Sequence, residues 1–250
     1  MKEITIQLAT KNVTIQTLYE STITYCQDYC VTTPADFSVT TTDADILYER
    51  QKFVQESNIE GLLPRNFPDP YYEITAVQRK IAERFFEYNT LLFHGSVVAL
   101  DGEAFLFTAK SGTGKSTHTR FWREVFGSRA VMINDDKPFL KINDDGVTVY
   151  GSPWNGKHRL GSNTSAPLKA ICILERGTEN RISEISAKEV LPMLLQQSHR
   201  PMQMNMMPQY LDLIDQLSQK VRFYRLSCTM DPQAAVVAYE GMTNKGREEV

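Results

Sequence analysis

The first eighteen residues alternate between apolar and polar side chains in two short runs. The apolar positions are Ile4, Ile6 and Leu8 in the first run and Val13, Ile15 and Leu18 in the second. Such alternation is typical of half-buried strands, and the polar pair Lys11-Asn12 separates the two runs. The pattern therefore predicts two strands joined by a turn at Lys11-Asn12. A third strand is expected at residues 37–40.

The segment from Leu62 to Pro70 contains three prolines, which indicates a loop. Beyond it, residues 71–88 place apolar side chains at steps of three and four, with charged residues between them. These apolar positions are Ile74, Val77, Ile81 and Phe85. Spacing of this kind predicts one amphipathic helix. Together with the preceding strands it gives a small N-terminal α+β region, residues 1–88, whose role is open.

Two apolar runs, residues 91–100 and 103–108, flank the dipeptide Asp101-Gly102. Asp-Gly suits the two-residue turn of a β-hairpin, because both of its central positions need positive φ. The second run continues directly into a stretch rich in glycine and hydroxyl residues, 109–117, and residues 119–125 are helical in character. Strand, glycine loop and helix follow one another in the order that a phosphate-binding loop requires.

The glycine loop contains almost every part of a nucleotide-binding P-loop. In such loops, backbone N–H groups and the helix N-terminus face the phosphates, a lysine contacts the outer phosphates, and the next hydroxyl reaches Mg²⁺. The predicted ligands are Ser111, Gly112, Thr113, Gly114, Lys115, Ser116 and Thr117, with Ser116 on the metal side. The first glycine of the usual pattern is replaced by Ala109. A glycine- and serine-rich loop with an accidental lysine is the alternative.

A pair of carboxylates follows the next apolar run. Residues 130–133 predict a short buried parallel strand, placed beside the strand that feeds the glycine loop, and it ends in Asn134-Asp135-Asp136. Ligands of open α/β sheets bind beyond the carboxyl ends of strands. One aspartate can therefore bind Mg²⁺ while the other accepts a proton from a hydroxyl. A solvated turn, as expected for Asp144-Asp145, is the alternative interpretation.

A third stretch, residues 150–161, combines three glycines with the basic run Lys157-His158-Arg159. Two interpretations stay open for it. The stretch folds over nucleotide or substrate phosphates and balances their charge, or it is an exposed basic turn.

Composition narrows the class of protein. The chain has 250 residues, of which 42% are hydrophobic and 23% charged, so a folded protein is expected. Its 27 basic and 30 acidic residues give a net charge of −3, which provides no excess positive charge for nucleic acid or an anionic membrane. We expect a cytoplasmic protein, because there is neither an apolar run of membrane-spanning length nor a signal peptide. The four cysteines lack a CxxC unit and are expected to be reduced, partly buried thiols rather than a zinc site.

Taken together, His94-Gly95, the hairpin, the loop at residues 111–116 and the sequence Asn134-Asp135-Asp136 resemble the catalytic domain of HPr kinase/phosphorylase. The resemblance covers about residues 91–175. It implies an α/β P-loop kinase fold related to phosphoenolpyruvate carboxykinase, with a mixed sheet over residues 89–243 and a frayed tail at 244–250. It also implies ATP and Mg²⁺ as cofactors and a serine hydroxyl on a small carrier protein as acceptor. The family forms hexamers, so a homo-oligomer is compatible with it.

The resemblance also implies roles for individual residues. Asp135 corresponds to the general base, Asp136 to the carboxylate on the metal side, and His94 to the histidine that lies near that base. Lys115 and Ser116 correspond to the phosphate and Mg²⁺ ligands. Taken alone, a histidine on a strand such as His94 is often a core residue with a satisfied hydrogen bond.

The chain departs from the family downstream of the aspartates. The family's Glu-x-Arg-Gly signature is absent, and residues 150–154, Tyr-Gly-Ser-Pro-Trp, take its place. We therefore expect an ATP- and Mg²⁺-dependent kinase that transfers the γ-phosphoryl group to a protein, peptide or small-molecule hydroxyl. Lys115 and Lys157 would balance phosphate charge, and Lys157, His158 and Arg159 would contact the substrate. The alternative is a nucleotide-binding sensor or assembly module without transfer, and a carboxykinase ranks lower.

Overall fold

The computed structural model describes residues 1–59, 61–156 and 158–243, and the chain divides into two compact units between Phe85 and Phe86. The predicted ligand Lys157 and the predicted tail at 244–250 lie outside the described residues. No helix among the described residues is both long enough and apolar enough to cross a membrane.

The first unit is a small sheet with helices. Its elements are β1 (Lys2–Leu8), β2 (Lys11–Thr17), α1 (Glu20–Cys26), β3 (Phe37–Thr40), α2 (Asp43–Ile59) and α3 (Asp69–Phe85). β1 pairs antiparallel with β2, and β3 adds to β2 in parallel. The three predicted strands and the amphipathic helix are therefore confirmed.

The predicted position of the first turn is wrong. The turn lies at Ala9 and Thr10, whose φ angles are 43° and 73°, and Lys11 and Asn12 already belong to β2. The reason is a contact with a segment that is distant in the sequence. Asp36, from a later segment, accepts hydrogen bonds from the Lys11 ammonium and the Asn12 backbone N–H, so these polar residues are bonded within the strand.

A buried carboxylate holds the first unit together. Glu73 of α3 is 0% exposed and accepts hydrogen bonds from the hydroxyls of Thr17, Thr22 and Thr41. The backbone N–H groups of Leu18 and Tyr19 also donate to it. Burial raises the pKa of Glu73, but the hydroxyl and backbone donors outweigh burial and lower it below its usual value.

The second unit is a mixed α/β structure, as predicted. Its elements are β4 (Thr90–Leu92), β5 (Ser96–Leu100), β6 (Glu103–Thr108), α4 (Lys115–Phe126), β7 (Ala130–Asn134), β8 (Phe139–Asn143), β9 (Gly146–Tyr150), β10 (Ser165–Arg176), β11 (Arg181–Ile185), α5 (Ala187–Gln197), α6 (Met207–Lys220), β12 (Arg222–Cys228) and α7 (Gln233–Thr243). The strand order is β4-β8-β9-β10-β6-β5-β7, with β12 paired to β10 and β11 paired to β12. β10 runs parallel to both β6 and β12, and the other pairs are antiparallel.

Strand β6 lies at the centre of two apolar clusters. Ala104 and Leu106 pack with residues of α5 and α6, whereas Phe105 and Phe107 pack with residues of α4 and α7. Helices thus cover both faces of the sheet at the strand that leads into the glycine loop. A strand buried on both faces is apolar at successive positions, as this one is.

The predicted hairpin is confirmed. Leu100 of β5 lies opposite Glu103 of β6, and the two residues between them, Asp101 and Gly102, have φ angles of 52° and 87°. Both values fall in the left-handed region that a type I′ turn requires.

The hairpin changes the predicted neighbour of the glycine-loop strand. β7 pairs antiparallel with β5, and β5 pairs antiparallel with β6, so β7 runs in the same direction as β6 but one strand away. The predicted adjacency of these two strands is therefore wrong, because the two-residue turn places β5 between them. Their carboxyl ends still lie at the same edge of the sheet, where β5 begins.

The cysteines of the structure are free thiols, as predicted. Cys26 and Cys172 are buried, Cys228 is half-buried and Cys30 is exposed. Among the described residues, no group of three or more His, Cys, Asp or Glu side chains is arranged to hold a metal ion.

Candidate functional site

The glycine loop connects the carboxyl end of β6 to the N-terminus of α4. Gly112 and Gly114 have φ angles of 75° and 122°, and a Cβ at either position would meet no atom within 4 Å. Glycine is thus required there by the backbone conformation and not by lack of space. Gly114 caps α4 and its carbonyl accepts the N–H of His118, so the N–H groups of the first helical turn face the loop. This arrangement favours bound anions.

Lys115 is the first residue of α4 and is half-buried. Its ammonium donates to the carbonyl of Ala109 at 3.2 Å. Burial lowers the pKa of Lys115, and the negative charge of Asp136 partly opposes this. Ala109, which replaces the first glycine of the usual loop pattern, does not adopt positive φ, so the backbone has no need of glycine there.

Asp136 follows β7 and pairs with His94, which precedes β5. Their side chains meet through Nε2 of His94 and Oδ1 of Asp136 at 3.2 Å. The backbone joins the same two segments, since the N–H of Gly95 donates to the carbonyl of Asp136 at 3.0 Å. The resemblance implied that His94 lies near Asp135, and the hydrogen bond that the structure gives to the histidine is with the next residue, Asp136.

The pKa values of His94 and Asp136 are shifted by burial and by the same neighbouring charges. Burial lowers the pKa of His94, and the positive charges of Lys137 and Lys115 lower it further, against the opposing effect of Asp136. Burial alone would raise the pKa of Asp136, but the His94 hydrogen bond and the charges of Lys137 and Lys115 bring it below its usual value. Asp136 is therefore ionised at neutral pH, and a neutral His94 can donate to it.

Asp135 has a different environment. It is 4% exposed, and its Oδ1 accepts the backbone N–H of Gly156 at 2.6 Å. Its Oδ2 is buried and has no hydrogen-bond partner in the part of the chain that the structure describes. Burial raises the pKa of Asp135, and the charge of Asp136 raises it further, against the lowering effects of the Gly156 N–H and of His158. Burying a carboxylate oxygen without a hydrogen-bond donor costs free energy, so such a group calls for an explanation.

Asn134 fixes the backbone that carries both aspartates. It is 0% exposed, and its Oδ1 accepts the N–H groups of Asp136 and Lys137 at 2.8 and 2.6 Å. Its Nδ2 donates to the carbonyl and hydroxyl oxygens of Ser152, both at 3.1 Å, and to the carbonyl of Trp154. One amide side chain therefore bonds the carboxylate turn to the segment that follows β9.

That segment is the start of the predicted basic stretch, and its two halves differ. Residues 151–154 are buried across the end of β7, where Asn134 also pairs with Gly161. His158 and Arg159 are exposed. The stretch thus bonds Asn134 through Ser152 and Trp154 and Asp135 through Gly156, whereas His158 and Arg159 lie at the surface.

The structure brings together three of the four predicted catalytic residues, Lys115, His94 and Asp136, and places Asp135 at the next position with its own partner. The other predicted loop ligands line the same turn and helix start. Ser111, Gly112 and Ser116 are exposed, and Thr113, Gly114 and Thr117 are half-buried.

The sequence analysis gave no individual role to four residues of the site. Asn134 was named in the motif Asn134-Asp135-Asp136, and Lys137 follows that motif directly. Gly156 lies in the predicted stretch 150–161, but the contacts of Gly156 and Arg176 join segments that are distant in the sequence. Arg176 donates through Nη2 to the carbonyl of Gly112 at 2.7 Å.

Comparisons with known proteins give two similarities. A family model described as SynChlorMet cassette protein ScmC matches residues 71–239, more than half of the chain. Among solved structures, the Hpr(Ser) kinase/phosphatase from Coxiella burnetii is similar with a TM-score of 0.35 and 11% sequence identity, over 60% of this chain and 94% of that chain. No curated protein matches the sequence.

Proposed function

The chain belongs to the ScmC family of SynChlorMet cassette proteins, and we propose that it is a Mg²⁺-dependent kinase that transfers the γ-phosphoryl group of ATP to a hydroxyl. The observation that carries the proposal is the pairing of Asp136 with His94 at the sheet edge where the glycine loop begins. There the charge of Lys115 acts on both partners. An anion-binding loop and an ionised carboxylate at one edge are the two parts that phosphoryl transfer needs.

The residues present fit ATP with Mg²⁺. The loop and the first turn of α4 offer backbone N–H groups, and Lys115 offers an ammonium, to the phosphates. Hard divalent cations take oxygen ligands, and the ionised Asp136 and the exposed hydroxyl of Ser116 are of that kind. Bound Mg²⁺ would supply charge neutralisation at the phosphoryl oxygens.

Asp135 suits the task of proton acceptor. Its Oδ2 is buried without a donor, beside the carboxylate that we assign to the metal. In the proposed transfer, the acceptor oxygen would attack the γ-phosphorus, its proton would pass to Oδ2 of Asp135, and the bond between the γ-phosphorus and the bridging β-phosphate oxygen would break to release ADP. The raised pKa of Asp135, caused first by burial, is in keeping with this task.

His94 is assigned to positioning. Its Nε2 donates to Asp136 and its backbone N–H donates to the carbonyl of Gln197 at 2.7 Å, so it is held from two sides. We assign His158, Arg159 and Lys157 to the substrate side, where cations balance charge on an incoming acceptor.

The test is product analysis with a panel of hydroxyl compounds, including serine peptides, sugars and hydroxy acids, in the presence of ATP and Mg²⁺. Consumption of ATP in proportion to a phosphorylated acceptor supports the proposal. In the Asp135→Asn variant we expect transfer to fall by about 100-fold, the usual scale for loss of a general base, with ATP binding retained.

Asp144→Asn is the matched control, because Asp144 lies exposed between β8 and β9, away from the site edge. Its transfer rate should equal that of the native chain. Full activity of Asp135→Asn would remove Asp135 from the mechanism. Binding of ATP with no phosphorylated product across the panel would instead indicate a nucleotide-binding module without transfer.

A further inference from the structure

We propose that Arg176 is a positioning residue for the nucleotide, holding the glycine loop in the conformation that binds phosphates. The inference rests on the proposed function, since it names a further residue of the same site. It arises from a contact between two segments far apart in the sequence.

Strand register brings Arg176 to the loop. β6 ends at Thr108, which lies opposite Ile173 of β10, but β10 continues for three more residues. Those residues stay in line because β12 pairs with them on the other side, with Arg176 opposite Cys228. The end of β10 therefore lies alongside the loop that leaves β6.

The guanidinium contacts the loop at one of its two glycines with positive φ. Nη2 of Arg176 donates to the carbonyl of Gly112 at 2.7 Å, and Gly112 has a φ of 75°. A peptide unit is planar and trans, so fixing this carbonyl turns the N–H of Thr113 to the opposite side. That N–H bonds the carbonyl of Lys110 at 3.2 Å and so closes the turn. The arginine thereby sets the orientation of a peptide unit inside the loop.

The acidic residue next to Arg176 is paired with another residue, so the guanidinium is available to the loop. Glu175, the adjacent acid, pairs with Arg225 at 3.1 Å. Arg176 is exposed, and Gly112 is its hydrogen-bond acceptor among the described residues. A guanidinium offers five N–H donors, so one contact with the loop leaves donors for a phosphate that binds next to it.

The test compares Arg176→Met, which has no donor, with Arg176→Lys, which retains one. Arg222→Met is the matched control, because Arg222 is exposed at the other end of β12 and pairs with Glu184. Calorimetric titration with MgATP gives the dissociation constant. Hydrogen exchange of the loop amides, residues 111–114, reports the loop conformation, and the thermal midpoint without nucleotide reports the fold.

We expect Arg176→Met to raise the dissociation constant about tenfold, the scale of one hydrogen bond to a charged group, and to speed exchange of the loop amides. Arg176→Lys should weaken binding by less than about threefold, and Arg222→Met should bind as the native chain does. The midpoint without nucleotide should be unchanged in all three variants.

The outcomes separate this inference from the proposed function. If the native chain binds no MgATP, both are wrong. If the native chain binds and Arg176→Met binds equally well, only the role of Arg176 is wrong. A Met variant that fails to fold, or that loses affinity only together with its thermal midpoint, assigns Arg176 a structural role and also overturns the inference.

Discussion

Replacing Asn134 by aspartate tests how the site is held together. The change keeps the shape of the side chain and keeps an oxygen for the N–H groups of Asp136 and Lys137. It replaces the amide nitrogen, which faces two oxygens of Ser152 and the carbonyl of Trp154, with a further oxygen. Donor-to-acceptor bonds therefore become contacts between acceptors.

The cost follows from the contacts. Two hydrogen bonds of 3.1 Å are lost at a 0% exposed position, and each contributes about 1 kcal/mol. The new carboxylate lies buried against a carbonyl oxygen, which adds a desolvation and repulsion penalty of at least about 1 kcal/mol. We expect the free energy of unfolding to fall by about 3 kcal/mol, which lowers the midpoint of a unit of this size by about 6–12 °C.

Tryptophan fluorescence is the assay, because both tryptophans of the chain, Trp122 and Trp154, lie in the second unit and Trp154 bonds Asn134 directly. Asn143→Asp is the control. The Asn143 amide donates to the hydroxyl of Thr148 at a half-buried position, so the loss there should stay near 1 kcal/mol. A midpoint for Asn134→Asp within about 2 °C of the native value would refute the reasoning.

Three further predictions concern single groups. Gly156→Ala places a Cβ 3.1 Å from Oδ2 of Asp135, so ATP-dependent transfer should fall about tenfold with an unchanged midpoint, and native activity would contradict the role of that oxygen. Burial lowers the pKa of His118 from 6.5 to about 3, so native stability should decrease as pH falls from 6.5 towards 3, because only the unfolded chain takes up the proton. In urea unfolding at pH 7 and pH 4.5, His118→Gln should lose less stability between the two pH values than the native chain does. An equal loss would contradict the assignment. Glu73→Gln should cost about 3 kcal/mol at pH 7 by circular dichroism, whereas the exposed Glu3→Gln should cost nothing measurable. Because the pKa of Glu73 is lowered, its contribution to stability is complete above pH 4.5 and is lost as the pH falls below that value. A stability difference between the native chain and Glu73→Gln that increases in acid would therefore refute this prediction.

The parts of the fold that were predictable depend on local chemistry. The turn at Asp101 and Gly102 was recognisable because few dipeptides adopt two successive positive φ angles. Helix α3 was recognisable because its apolar side chains repeat with the helical period. The first turn was misplaced because Lys11 and Asn12 are polar, and their acceptor Asp36 lies 24 or more residues away in sequence. Local polarity carries no information about such a partner.

The edge of the sheet at which the site lies was predictable from the sequence. Apolar strands followed by polar groups identified the loop and the aspartates, and parallel direction placed their ends together, whereas His94 was indicated only by the family resemblance. The choice of partner was not predictable. Which aspartate meets His94 depends on the irregular register between β5 and β7, where Val97 lies opposite Asn134 and Val98 opposite Met132. Arg176 and Gly156 depend in the same way on pairing between distant segments.

The division of labour that we propose for the two aspartates is based on this geometry. They are consecutive in the chain, yet Asp136 meets His94 while Asp135 meets the N–H of Gly156. The charges around Asp136 lower its pKa, whereas burial raises the pKa of Asp135, so the two carboxylates differ in proton affinity although they are the same residue type. A cation ligand must stay ionised and a proton acceptor must not be too weak a base, and two environments of this kind meet both requirements. The Asn134 side chain bonds the N–H of Asp136 and the hydroxyl of Ser152, so a single buried amide links the carboxylate turn to the segment whose Gly156 meets Asp135.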